Sequence, residues 1–323
     1  MPPPKVVIAY MDFGDDYAVE RRTLAALDSE IVFTNGELST PAALALLHEA
    51  DALLVTLQRV TPEVIAAMPR CKAIGRAGTG LDTIDLAAAS AHGIQVVYVP
   101  DYGIDEVSTH AIALLLAQAR NVVSQVNGTR AGQWPGGNGR VIYRLKGKTL
   151  GVIGFGRIGQ AAAEKGKGLG LNVIVHDPQL NETAVERLGV RVVDLDTLAR
   201  ESDFITLHTP LLDSTHHIIN ENFLSKMKPT AYVVNTARGP LIDEAALLKA
   251  VRSGTIAGAA LDVFESEPPI PKDPLFQEER ILVTSHSAWY SEEAKIDMRG
   301  RAVEDVVRVL RGEKPLRPAN QVG

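Results

Sequence analysis

The sequence predicts an α/β fold made of two doubly wound parallel-sheet domains. Three observations predict it. Strand-like and helix-like segments alternate along most of the 323 residues, the strand segments are short apolar runs, and one run enters a turn with three spaced glycines, Leu150-Gly-Val-Ile-Gly154-Phe-Gly156-Arg-Ile-Gly159. Alternation of this kind is the mark of parallel sheets, whose strands need helical crossovers. A chain of this length exceeds one typical core, so two domains are expected.

The elements follow in order. Val6 to Tyr10 reads as a strand, then a helix from about Asp16 to Leu27, a strand from Ile31 to Phe33, a helix after Thr40-Pro41 and a strand from Ala52 to Thr56. A helix after Thr61-Pro62, a strand from Lys72 to Arg76, a helix from about Asp85 to His92 and a strand from Gln95 to Val99 complete the first series. Each Thr-Pro pair puts a capping hydroxyl before a proline whose missing N–H costs nothing at the first helical position. Asp101 to Gly132 reads as one long helix, with Ala111-Ile-Ala-Leu-Leu-Leu-Ala117 apolar on nearly every face. Such a helix must be covered on several sides, and its expected place is between domains or at a subunit contact. The glycine-rich loop from Gly132 through Trp134 to Gly139 is expected to help shape a pocket. From Leu150 a second series runs to about Thr284, with Ala231-Tyr-Val-Val-Asn235 and Gly258-Ala-Ala-Leu-Asp262 apolar enough for strands buried on both faces. A last amphipathic helix, Ser291 to Leu310, sets Met298, Val303, Val306, Val307 and Leu310 on its apolar side.

Composition narrows the function. A net charge of -6 without a basic run argues against a nucleic-acid partner. Met1 to Lys5 leads into a strand without the charged region and apolar core of a signal peptide, and no apolar run is long enough to span a bilayer. A cytoplasmic home and no membrane partner are expected. The single cysteine, Cys71, reads as core filler, and with no His/Cys cluster at ligand spacing no metal site is expected.

The glycine turn carries the first chemistry. Gly154 permits the turn out of the strand, Gly156 lets the backbone approach a pyrophosphate, and Gly159 lets the next helix pack closely. That helix, beginning near Arg157, offers unpaired N–H groups and a partial positive charge to phosphates. Asp177, closing the second apolar run Asn172-Val-Ile-Val-His176, stands at the distance where a carboxylate accepts both ribose hydroxyls. A 2′-phosphate would be repelled there, so the expected cofactor is NAD rather than NADP. The plain alternative for Asp177 is a turn cap before Pro178.

Open parallel sheets bind ligands beyond the carboxyl ends of their strands. Four segments there carry unusual polar residues: Arg76-Ala-Gly78-Thr79-Gly80-Leu-Asp82, Asn235-Thr236-Ala-Arg238-Gly239, Asp262-Val-Phe-Glu265-Ser-Glu267-Pro268 and Ser285-His286-Ser-Ala-Trp289-Tyr290. A guanidinium at Arg238 suits a carboxylate and its neighbouring carbonyl, gripped by parallel hydrogen bonds. His286 serves as a proton donor if a carboxylate backs one ring nitrogen. Spacing leaves Glu265 and Glu267 both open as that partner.

Asn235-Thr-Ala-Arg-Gly239, Ala260-Leu-Asp-Val-Phe-Glu-Ser-Glu-Pro268 and His286, in this order after the glycine turn, resemble the NAD-dependent D-2-hydroxyacid dehydrogenases along essentially the whole chain. The resemblance implies a catalytic set of Arg238, Glu267 and His286, and prefers Glu267 over Glu265. It implies a flavodoxin-like substrate domain of residues 1–100 plus 290–323, a Rossmann NAD domain of residues 101–289, a cleft between them, and a homodimer joined through the NAD domains. Within the family, Arg76-Ala-Gly-Thr-Gly80 and His286-Ser-Ala-Trp-Tyr-Ser-Glu-Glu293 look most like the C-terminal-binding-protein branch. Its matching residues place Arg76 and Trp289 in the substrate pocket, although an interdomain packing role for Trp289 is the plainer alternative. One departure is mild: Gly78-Thr79-Gly80 stands where the eukaryotic members have a serine form. By the same matching, Thr79, Thr109, Arg157, Ile158, the loop Thr209-Pro210 to Thr215, Thr236, Ala237, Arg238, Asp262 and His286 are expected to touch the cofactor.

The implied reaction moves a hydride between NAD(H) and C2 of a small 2-oxo or 2-hydroxy acid, glyoxylate or hydroxypyruvate among them. The loop Gly78-Thr79-Gly80 holds the substrate carboxylate through backbone N–H groups, Arg238 grips carboxylate and carbonyl, and His286 backed by Glu267 transfers the proton. The competing expectation is an NADH-responsive co-regulator, for which the chain lacks extra tails. A formate-type dehydrogenase is disfavoured because it has a glutamine where Glu267 stands.

Overall fold

Burial on both faces makes the short Val/Ile/Leu/Ala runs into parallel strands, and the computed structural model, which describes residues 2–10, 16–134, 140–270 and 272–322, sorts them into two sheets. Two compact units result: Met1–Gly103 with Ser291–Gly323, and Ile104–Tyr290.

In the first unit, β1 (Lys5–Ala9), β2 (Glu30–Phe33), β3 (Ala52–Val55), β4 (Ala73–Arg76) and β5 (Gln95–Tyr98) form a parallel sheet in the order β2-β1-β3-β4-β5. The connecting helices are α1 (Ala18–Leu24), extended by a 3₁₀ turn Ala25–Leu27, α2 (Pro41–His48), α3 (Pro62–Ala66) and α4 (Leu86–Ala91). Thr40 and Thr61 cap α2 and α3 by accepting the N–H of Ala43 and Val64, each ahead of its proline. Cys71 is buried in this unit's core, and burial pushes its thiol up to about 12, so it stays a neutral packing group.

The second unit opens with α5 (Ile104–Ala119) and α6 (Val122–Arg130). This corrects the expectation of one continuous helix: the chain breaks at Asn121, which is buried and left-handed at φ 51°. Asparagine tolerates that conformation because its short polar side chain bonds locally. The seven-stranded parallel sheet has β6 (Thr149–Ile153), β7 (Asn172–His176), β8 (Arg191–Val192), β9 (Phe204–Leu207), β10 (Tyr232–Asn235), β11 (Gly258–Leu261) and β12 (Ile281–Val283), in the order β12-β11-β10-β9-β6-β7-β8. Its crossovers are α7 (Arg157–Gly168), α8 (Glu182–Leu188), α9 (Leu195–Glu201), α10 (Glu221–Ser225) and α11 (Glu244–Ser253). Helix α5 covers the face that also carries α7, burying Ala111, Ile112, Leu114 and Leu115 with Val152, Val234 and Ala260. The order reverses between β6 and β9, which is where ligands settle in such sheets. Most of the Gly132–Gly139 loop lies outside the described residues.

The chain then returns to the first unit. Helix α12 (Glu292–Leu310) packs on α1, β4 and β5, burying Met298, Val303, Val306 and Val307, while Leu310 stays partly exposed.

Candidate active site

The glycine turn sits at the reversal point between β6 and β9. Gly154, at φ 89°, has no room for a side chain: a Cβ there would lie 2.5 Å from His208 C and Thr209 N. A Cβ on Gly159 would lie 2.1 Å from Gly154 O, so α7 rides directly on the turn. Gly156 differs. Nothing lies within 4 Å of its Cβ position, and as the residue preceding α7 it has no side chain to cap the helix. The first N–H groups of α7, at Arg157 and Ile158, therefore border open space. Asp177 closes the turn from β7: one oxygen accepts the Phe155 N–H at 2.6 Å and the other the Gln179 N–H at 2.7 Å. It is thus a turn cap and also the carboxylate next to the glycines.

The exit of β9 is held by side chains of its own. Thr215 accepts the Leu212 N–H at 2.8 Å and donates to Pro210 O at 2.7 Å, closing the Thr209–Thr215 loop. His208 Nε2 lies 3.0 Å from Thr206 Oγ1, and burial pushes this imidazole down to about 4, so it is neutral near pH 7. His208 Nδ1 and the Thr236 hydroxyl, at the ends of adjacent strands, are buried without a partner among the described residues. Buried polar atoms left so call for a ligand or ordered water.

Three further strand ends converge. Asn235 accepts the Ala237 N–H at 3.0 Å and donates to Arg238 O at 2.8 Å, shaping the turn that carries Arg238. Gly239 lies against the loop after β11: a Cβ there would fall 1.9 Å from Phe264 C and 2.4 Å from Glu265 N. In that loop Glu267 Oε1 accepts the Phe264 N–H at 2.9 Å, and Oε2 lies 2.6 Å from His286 Nδ1. Burial alone would raise the Glu267 carboxyl, yet the His286 hydrogen bond and charge, the Phe264 N–H and the Arg238 cation hold it below the usual carboxylate range. Geometry separates the two glutamates that spacing left open, because Glu265 points to His217, 2.8 Å away, rather than to His286.

Asp262 supports His286 from below. The His286 N–H donates to Asp262 O at 2.7 Å, and the Asp262 carboxylate accepts the N–H groups of Ser287 at 3.0 Å and Ala288 at 2.8 Å and the Thr284 hydroxyl. That carboxylate is 1% exposed, and besides this loop it faces His110 of α5, whose Nε2 lies 3.7 Å from its Oδ1. His110 of α5, which the sequence did not single out, stands 3.2 Å from Thr284 Oγ1. Its position two turns into an apolar helix gave no signal. Thr109 is exposed on the same helix, and Trp289 meets Tyr290 edge-on at 5.5 Å.

In the first unit, Arg76 is 4% exposed and turned onto its own loop, donating from Nε to Gly80 O at 3.0 Å and from Nη1 to Ala77 O. A buried guanidinium needs such acceptors, and here it props the Gly78–Gly80 turn. Gly78 sits at φ 143° with Arg76 Nη1 where its Cβ would be, and Thr79 donates to Val99 O at 3.1 Å. Among the described residues no group of three His, Cys, Asp or Glu is placed to hold a metal ion, and no helix is long and apolar enough to cross a membrane.

Comparison with known proteins converges on one family. Residues 112–288 match the family model for the D-isomer specific 2-hydroxyacid dehydrogenase NAD-binding domain. The chain is 42% identical to the D-3-phosphoglycerate dehydrogenase of Archaeoglobus fulgidus over 81% of its own length and 50% of that protein, so it spans about half of that relative. It is 39% identical to the glyoxylate reductase of Korarchaeum cryptofilum, over 85% of this chain and 84% of the other. The crystal structure of an Aquifex aeolicus D-lactate dehydrogenase complexed with NAD and lactic acid superposes with a TM-score of 0.84 at 29% identity, over 95% of this chain and 96% of that one. The match does not single out the co-repressor branch. The residues present fit a dinucleotide: open space over Gly156, uncapped N–H groups, a carboxylate at Asp177 and an orphaned hydroxyl at Thr236 line one sheet edge. The chain belongs to the D-isomer specific 2-hydroxyacid dehydrogenase family, and its second unit carries that family's NAD-binding domain.

Proposed function

We propose that this protein is an NAD-dependent D-2-hydroxyacid dehydrogenase acting on a small 2-oxo or 2-hydroxy acid of the glyoxylate or hydroxypyruvate class. The observation that carries the reading is the His286–Glu267 pair, 2.6 Å apart, on a loop pressed against the Arg238–Gly239 turn. NAD(H), when bound, accepts or supplies the hydride.

The chain's own residues do the rest. Arg238, within electrostatic reach of Glu267, grips the substrate carboxylate and polarises its carbonyl. His286 uses Nε2 toward the substrate oxygen because Nδ1 is committed to Glu267. In reduction the imidazolium gives its proton to the growing alkoxide while Glu267 stabilises the cation; in oxidation neutral His286 takes the proton back. We assign the Gly78–Gly80 loop, propped by Arg76, to the substrate carboxylate through backbone N–H groups, and Trp289 to the substrate side of the His286 loop. Asp177 sets the preference for NAD over NADP. Asp262 acts on His286 by holding its loop, because its carboxylate is already filled with donors from that loop.

We further propose a homodimer joined through the second unit. Helix α6 buries none of its residues, and Val122, Val123 and Val126 are each at least 40% exposed with Trp134 at 88%. The relatives cited carry the names of enzymes, and the co-regulator reading is not favoured. The deciding experiment is NADH oxidation by the purified chain against a panel of 2-oxo acids, glyoxylate and hydroxypyruvate included. Turnover that disappears in His286→Ala supports the reading, and no turnover on any of them overturns it.

A further inference from the structure

Glu265 has no part in the chemistry above, yet it ties together three segments far apart in sequence. Its Oε1 lies 2.8 Å from His217 Nε2 and 3.4 Å from the backbone N of Glu244, while its own N–H donates to Glu244 Oε1 at 2.8 Å. His217 belongs to the loop after β9, Glu244 opens α11, and Glu265 lies in the loop after β11. The first two segments are also joined by backbone: the His217 N–H donates to Pro240 O at 2.9 Å and the Asp243 N–H to Ile219 O at 3.0 Å. His217 is left-handed at φ 50°, a conformation that costs free energy outside glycine. The contacts it makes must offset that cost.

Glu265 stands two residues before Glu267, in the stretch Phe264–Glu267 whose near end is pressed on Gly239 and whose far end reaches His286. Fixing Glu265 therefore fixes the approach of Glu267 to the imidazole. Glu265 meets His217, with His216 stacked 3.9 Å behind, and Glu244 from α11, while Glu267 and Asp273 of the same connection act on Glu244. Burial, and then the negative charges of Glu265, Asp273 and Glu267, raise the Glu244 carboxyl.

We propose that Glu265 and His217 are positioning residues, whose contact with each other and with Glu244 sets the Glu267–His286 distance. The kinetic readout rests on the dehydrogenase reading above; the spectroscopic one does not.

The test uses the full chain with Glu265→Gln, Glu265→Ala, His217→Gln and the double variant Glu265→Gln/His217→Gln. The readouts are the pH profile of kcat/KM for glyoxylate with NADH, and the low-field proton resonance of the His286 Nδ1–H, identified by its loss in His286→Asn. Each single variant is expected to lower kcat/KM about tenfold, to move the alkaline fall of reduction to lower pH, and to shift the Nδ1–H resonance upfield, with the double variant no worse than the worse single one. A resonance and a pH profile unmoved in both Glu265→Gln and His217→Gln, or a double loss of about a hundredfold, overturns the proposal. Glu265→Gln keeps an oxygen for the Glu244 N–H, so it decides the matter should Glu265→Ala fail to fold. If the wild-type chain turns over no 2-oxo acid, the dehydrogenase reading falls while the resonance still decides this one.

Discussion

His286 Nδ1 and Glu267 Oε2 stand 2.6 Å apart, and this contact joins the end of β12 to the loop after β11. A carboxylate so placed fixes the tautomer and stabilises the imidazolium. His286→Ala is expected to lower kcat/KM for 2-oxo acid reduction by about 10²–10⁴, the usual share of general acid–base catalysis. Glu267→Gln should lie between it and wild type. Stability gives an independent check. The folded Glu267 carboxyl is held below its ordinary value of 4.5, so its contribution is present above that pH and is lost as pH falls through the folded value. The Tm gap between wild type and Glu267→Gln should therefore be widest near neutrality and close on acidification below 4.5. A gap that widens in acid contradicts the assignment.

Glycines 156 and 159 lie three residues apart and predict opposite phenotypes. Gly156→Ala puts a methyl into open space, so stability should change by no more than about 1 kcal/mol, the size of an N-cap effect. NADH affinity should fall at least about tenfold, because the methyl occupies the approach to the helix N-terminus. Gly159→Ala puts a methyl 2.1 Å from Gly154 O. The helix-propensity gain of about 1 kcal/mol loses to an overpacking cost of about 3 kcal/mol. Urea titration and NADH fluorescence titration separate the two. Equal loss of stability in both would show that Gly156 is also a packing residue.

Asp177 has two tasks, and a substitution reports both. Removing its carboxylate leaves the Phe155 and Gln179 N–H groups without their acceptor, at about 1 kcal/mol for each lost hydrogen bond. It also removes the charge that repels a 2′-phosphate. Asp177→Ala should raise the ratio of NADPH to NADH efficiency by about tenfold or more, an effect of about 1.4 kcal/mol. An unchanged ratio alongside a lower Tm would leave Asp177 as a turn cap only.

Helix α6 marks the limit of what periodicity reveals. The apolar run after Ile104 continues through Val122, Val123 and Val126, so the pattern reads as one helix, yet the backbone turns at Asn121. The break rests on one dihedral angle, which hydrophobic spacing does not encode. The strands, the caps at Thr40 and Thr61 and the glycine turn were legible because each follows from a local rule. Long-range pairings were not: His110 beside Thr284 and His217 on Glu265 depend on which strand ends become neighbours. Asn121→Gly should leave stability within about 0.5 kcal/mol, whereas Asn121→Ala should cost roughly 1 kcal/mol because alanine resists the left-handed angle. Urea midpoints for the two variants test this, and equal midpoints contradict it.

The apolar side of α12 also hides a charge. Arg299, 2% exposed, donates from Nε to Glu20 Oε1 at 2.6 Å and from Nη2 to Oε2, and its guanidinium lies over the rings of Tyr10 at 5.8 Å and Tyr17 at 5.1 Å. Glu20 is fully buried. Taking either charge away strands the other in a medium that solvates it poorly, so Glu20→Gln and Arg299→Met should each cost about 3–5 kcal/mol. The pair itself is worth far less than that, because its attraction mostly offsets desolvation. Glu20→Leu/Arg299→Met should thus recover most of the loss, to within about 1 kcal/mol of wild type. Salt should leave the single-variant losses nearly unchanged, since a buried pair is poorly screened. Amide hydrogen exchange across β1 and α12 reads these effects in the first unit directly, and additive losses in the double variant would mean that the two side chains do not act as a pair.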